Sequence, residues 1–206
     1  ERLRLRATSS LIEREDVVIV AAVGAIYGLG DPVEYRAQMV TVEQGSERGR
    51  DSILEALVAI QYSRNDVRFE PGTFRVRGDT VEIFPAYEER AVRIELWGDT
   101  VERITKINPL TGESLQVMPR CAIYPAKHFV TQRAKIERAV RLIRAELAER
   151  LKLLREAGKL LEAQRLYQRT MFDLEMLRET GYCHGIENYS RHLSGRKAGE
   201  PPPTLL

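Results

Sequence analysis

Between Thr73 and Ile104 the chain uses one phrase twice. Arg77-Gly78-Asp79-Thr80-Val81-Glu82-Ile83 is followed by Trp97-Gly98-Asp99-Thr100-Val101-Glu102, each set among alternating charged and apolar residues. A Gly-Asp pair between two alternating runs predicts a two-residue hairpin loop, because glycine takes the positive φ that opens a type II′ turn. Two such hairpins in tandem predict a small antiparallel sheet.

Alternation then assigns the faces. With Gly78-Asp79 as the loop, Arg77 faces Thr80, Val76 faces Val81, Arg75 faces Glu82 and Phe74 faces Ile83. Side chains alternate across a strand, so Phe74, Val76, Val81 and Ile83 are expected on the core side. Arg75, Arg77, Thr80 and Glu82 then share the other side. The second loop places Leu96 opposite Val101, Glu95 opposite Glu102 and Ile94 opposite Arg103. Two facing carboxylates are unfavourable unless a cation stands between them, supplied by Arg93 on the same face as Glu95, by a neighbouring strand or by a partner protein. A longer loop with a shifted register is the alternative. A charged sheet face is ordinarily just solvated. A protein-docking face is the other reading, favoured by arginine's frequency at interface hot spots. The residues alone leave both open.

The flanks read differently. Residues 1–14 are expected to form a helix with Leu3, Ala7, Leu11 and Ile12 on one stripe. Val17-Val18-Ile19-Val20-Ala21-Ala22-Val23 is continuously apolar and rich in β-branched residues, which predicts a strand buried on both faces of a parallel sheet. One such strand cannot make that sheet alone. Pro32 to Ala37 suits a short helix with Asp31 as N-cap. Met39 to Val42 suits a strand, and Asp51 to about Tyr62 a helix with Ile53, Leu54, Leu57, Val58 and Ile60 inward. The β region runs from Phe69 to about Ile107. A turn at Pro109-Leu110-Thr111-Gly112 follows, with a last short strand at Cys121 to Pro125. From Thr131 the period becomes helical. Ile136, Val140, Ile143, Leu147, Leu151 and Leu154 draw one stripe, and Leu160, Ala163, Tyr167, Met171, Leu174 and Leu177 a second. Gly158 separates the two, so a helical hairpin is expected.

Composition excludes several classes. The 206 residues hold 32 Lys and Arg against 30 Asp and Glu, a formal net charge of +2, well short of a general nucleic-acid binder's basic excess. Cys121 and Cys183 are far apart, which predicts free thiols in a reducing compartment. No apolar run is long enough to span a membrane. The opening on Glu1 and the ending after Pro201-Pro202-Pro203 predict a piece of a larger protein. There is no G-x-x-x-x-G-K-[ST] loop, and Gly24 to Gly30 misses the dinucleotide-loop spacing. Cys183-His184 with His192 fits no zinc pattern and predicts ordinary packing. Tyr27, Tyr182 and Tyr189 with Arg191 are stacking residues for a nucleic-acid strand or, more commonly, buried boundary tyrosines.

Arg68-Phe69-Glu70-Pro71-Gly72-Thr73-Phe74-Arg75-Val76-Arg77-Gly78-Asp79, followed by Val81-Glu82-Ile83-Phe84-Pro85-Ala86, resembles the interaction domain of the UvrB family, the B subunits of the bacterial excinuclease. The transcription-repair coupling factor carries a related module. Three further segments are similar to the UvrB family: Ile19 to Gly30, Gly158 to Met176, and Gly185-Ile186-Glu187-Asn188-Tyr189-Ser190-Arg191-His192-Leu193. The resemblance implies a helicase-like ATPase that takes damaged DNA from UvrA and recruits the UvrC nuclease. It implies that the phosphate-binding and acidic ATPase motifs, with ATP and Mg, belong to parts outside this chain, so no catalytic residue, metal or cofactor is expected here. It also implies that UvrA is bound at Arg64, Arg75, Arg77 and Glu95.

The expectation is an α+β chain. Residues 1–30 are a helicase-domain remnant, 31–126 a mostly antiparallel UvrA-interaction domain, 127–193 a helical hairpin returning to the helicase domain, and 194–206 a linker. Its expected role is docking UvrA in the cytoplasm, away from membranes. Direct DNA binding, the coupling-factor module and a small nucleotide-binding enzyme are the alternatives.

Overall fold

The computed structural model describes residues 2–22, 32–128 and 133–202. The Gly24–Gly30 loop, Tyr27 and the N-cap reading of Asp31 lie outside them. The fold is α+β, in two compact units: Glu1–Ala25 with Val33–His128, and Ile26–Pro32 with Phe129–Leu206.

In the first unit, helices α1 (Arg2–Glu13), α2 (Pro32–Ala37) and α3 (Arg50–Ala59) accompany eight strands. These are β1 (Val40–Glu43), β2 (Ser63–Arg64), β3 (Thr73–Arg77), β4 (Thr80–Phe84), β5 (Ala91–Trp97), β6 (Thr100–Ile107), β7 (Ser114–Met118) and β8 (Arg120–Ile123). Strands β2 to β7 form one sheet in sequence order, and β1 pairs with β8 in a second. The first hairpin has the expected register, Phe74 with Ile83 through Arg77 with Thr80. Gly78 has φ +61° while Asp79 stays negative, the sign pattern of a type II′ loop. Phe74, Val81, Ile83, Val92, Ile94 and Ile104 pack from the sheet onto Ile53 and Leu57 of α3 and Val42 and Ile123 of the small sheet.

Several expectations change in this unit, beginning with Val58 of α3, expected inward but 56% exposed on the helix's outer side. Val17–Ala22 forms no strand, and Val18 and Val20 are 90% and 97% exposed. A strand buried on both faces needs neighbours, and no described strand pairs with it. The inward stripe of α1 carries Leu5, Thr8 and Ser9, while Leu3 is exposed, because Leu5 packs into the Tyr35–Tyr87–Tyr124 cluster. Glu95 does not face Glu102. A bulge shifts the β5–β6 register, pairing Glu95 with Arg103 and leaving Glu102 without an opposite residue. The local strand count also rises: β2 joins β3 in parallel, and β7 joins β6 after the Asn108–Gly112 turn.

The second unit is the helical hairpin α4 (Arg133–Glu156) and α5 (Leu160–Thr180), followed by a 3₁₀ turn (Ile186–Tyr189) and the short α6 (Ser190–Ser194). Gly158, at φ +73°, stands between the helices. The stripe of α4 is buried from Ile136 to Leu151. That of α5 is rotated from the expected one. Leu160 and Tyr167 are exposed, and Thr170 and Asp173 are buried with Leu174 and Leu177. Asp173 is tolerated inside because Tyr189 donates its hydroxyl to Oδ2 at 2.7 Å.

Candidate protein-docking face

Register across the six-stranded sheet builds the polar face in rows. One row runs Arg77, Thr80, Glu95, Arg103, and the next Arg75, Glu82, Arg93, Thr105, Val117. Alternation along β5 places Trp97 on the same side beyond Glu95, 80% exposed.

The second row is not a solvated surface. Glu82 is only 5% exposed. Arg75 donates Nε to its Oε2, and Arg93 donates Nε to its Oε1 at 2.8 Å. Arg93 also donates Nη2 to the Gly112 carbonyl at 3.2 Å. The Arg75 guanidinium lies 4.3 Å from the centre of the Phe69 ring, which itself packs on Phe84. Burial raises the Glu82 carboxyl's proton affinity, but the hydrogen bonds and charges of Arg93 and Arg75 outweigh it, and the net shift is downward.

Arg64 lies on the edge strand β2. Asp66 holds it through Oδ2, accepting from Nε at 2.9 Å, and uses Oδ1 to accept the Val76 backbone N–H at 3.0 Å. The Val76 bond is the main cause that keeps the Asp66 carboxyl below its ordinary value, with the charges of Arg64 and Arg77 adding to it. Arg77 is exposed and Glu95 half-buried.

The structure therefore places Arg75, Arg77 and Glu95 on one sheet face, and Arg64 on the strand beside them. Arg75 pairs with Glu82 as alternation predicts; Arg93, one of the cations considered for the Glu95/Glu102 pair, instead shares Glu82. The signal was available, because Glu82 faces Arg75 on one side and alternation puts Arg93 on the same face. The roles of Phe69 and Asp66 had no such signal, since both come from the irregular segment between β2 and β3.

Cys121 and Cys183 are buried free thiols, both pushed by desolvation up to about 12. His192 Nε2 lies 2.9 Å from Glu146 Oε2, the carboxylate that also pairs with Arg191. Among the described residues no three His, Cys, Asp or Glu come together as a metal site, and no helix is long and apolar enough to cross a membrane.

The UvrB interaction domain matches residues 40–129, which hold the whole polar face, and the UvrB third helical domain matches residues 134–195. The chain belongs to the UvrB family. UvrABC system protein B of Gemmatimonas aurantiaca is 71% identical over 206 residues, all of this chain and 29% of that protein. Its counterpart from Natranaerobius thermophilus is 59% identical over 207 residues, again all of this chain and 32% of that protein. The chain thus spans about a third of the length of the UvrB relatives it matches. The match to the UvrB third helical domain and the identity to UvrABC system protein B along the whole chain favour the UvrB family over the coupling-factor module.

Proposed function

We propose that this chain is the UvrA-docking part of the UvrB subunit in nucleotide excision repair. The observation that carries the reading is the row structure of the sheet face. Arg75, Arg77 and Glu95 converge there, Arg64 flanks them, and all four fall in the segment matched by the UvrB interaction domain. Arginine forks suit carboxylates on a partner, and bidentate geometry adds orientation to charge. Glu95, in the same row as Arg77 with Thr80 between them, makes the face mixed in sign, so a partner must match it in register and a uniformly acidic surface is disfavoured.

In this reading, lesion verification, ATP and Mg binding, DNA and UvrC belong to the assembled protein in the cytoplasm. The chain itself contributes recognition, with no hydrolysis and no cofactor of its own. Titrating the chain against UvrA tests the docking. Arg75→Ala with Arg77→Ala is expected to weaken binding by ~2 kcal/mol or more, the scale of interface hot spots, and added salt is expected to weaken the wild-type complex. Undiminished binding by that double variant sinks the reading.

A further inference from the structure

Glu82 is a buried carboxylate shared by two arginines, one from each neighbouring strand. Its side chain is 7% exposed, against 17% for Arg75 and 24% for Arg93. Stability is a weak reason for such a set, because apolar residues of similar volume commonly do as well or better in a partly buried position. The set also carries one excess positive charge, which no described acid in the row neutralises.

Geometry suggests what it does instead. Arg75 engages Glu82 through Nε and stacks over Phe69. That restricts both the plane and the direction of its guanidinium, which keeps enough exposure, 17%, to take an acceptor beyond the sheet. Arg93 is fixed at two points, by Glu82 and by the Gly112 carbonyl. Long side chains ordinarily lose rotamer freedom when they bind, and that loss weakens association. Here it has already been taken during folding.

We propose that Glu82 is a positioning residue of the docking face: with Phe69 it pre-orders Arg75 and Arg93 to receive carboxylates of the partner, without touching the partner itself. This rests on the docking reading above and names the device that makes the face rigid.

The test is a cycle of variants in the whole chain, titrated against UvrA, with folding followed by circular dichroism. Glu82→Gln is expected to weaken binding about tenfold, the size expected for releasing one or two such side chains. In the Arg75→Ala, Arg93→Ala background the same change is expected to cost nothing further, because nothing is left to position. Phe69→Leu, which removes the stack without touching the carboxylate, is expected to weaken binding severalfold and serves should Glu82→Gln not fold. In NMR spectra, the Arg75 and Arg93 Nε–H signals are expected to be resolved in the wild type and averaged in Glu82→Gln. Wild-type affinity in folded Glu82→Gln and Phe69→Leu would overturn the inference and leave docking intact. So would an equal loss in the arginine-free background. Absence of binding by the wild type would overturn the docking reading, and this inference with it.

Discussion

Glu82 illustrates how one residue sets the chemistry of a surface. A carboxylate buried alone in a sheet would take up a proton; between two guanidinium groups it stays ionised. Its carboxyl lies below the ordinary value of 4.5 when the chain is folded. A group of lowered pKa adds stability that is complete above its unfolded value and disappears as pH falls through its folded one. Melting curves are therefore expected to separate wild type from Glu82→Gln at pH 7, and the gap is expected to close as pH falls below about 4.5. A gap that stays constant down to pH 3 contradicts this. Asp66 follows the same logic at the edge strand, with one oxygen on the backbone of β3 and the other on Arg64.

Hairpins are the elements that carry the face, and their glycines decide whether the strands meet in register. Gly78 has φ +61°, and a Cβ there would meet nothing within 4 Å. Only backbone strain opposes a larger residue. Gly78→Ala is expected to cost about 1 kcal/mol, the scale of forcing an L-residue into that region, and urea denaturation measures it. No loss would mean that the loop had changed type. The second hairpin adds a bulge at Glu95/Leu96. That bulge, whose unopposed residue is Glu102 of β6, separates two carboxylates that a regular ladder would have set face to face, while plain alternation keeps Arg93, Glu95 and Trp97 on one side of β5. The helical hairpin shows a similar adjustment. Its α5 helix turns Thr170 and Asp173 inward, where the Tyr189 hydroxyl meets Asp173.

At the scale of the molecule, each unit has its own core. Ile53, Leu57, Phe74 and Ile104 belong to one, and Ile136, Val140, Leu174 and Leu177 to the other. The proposed contact residues Arg64, Arg75, Arg77, Arg93 and Glu95 all lie in the first unit. Leu177 is fully buried in the second. Leu177→Ala is expected to destabilise the helical unit by ~2–5 kcal/mol. At temperatures where both units remain folded, UvrA affinity is expected to stay at the wild-type level. Calorimetry with parallel titrations checks both halves; affinity lost in step with helical stability would place part of the site outside the sheet.

What the residues determined alone was local. Glycine's positive φ and the period of two specified the first hairpin, its register and its two faces, because those depend on contacts a few residues apart. The period of three to four likewise specified the α4 stripe. Tertiary structure decided the rest, for a common reason: each outcome depends on a neighbour distant in sequence. Glu82 is buried because β3 and β5 both bring an arginine to it. Glu95 escapes Glu102 through a bulge in β6, a strand that also pairs with β7 and, at Thr100, with Glu47. Val17–Ala22 reads as a buried strand but forms none, since apolar composition creates a strand only where other strands supply hydrogen bonds and cover.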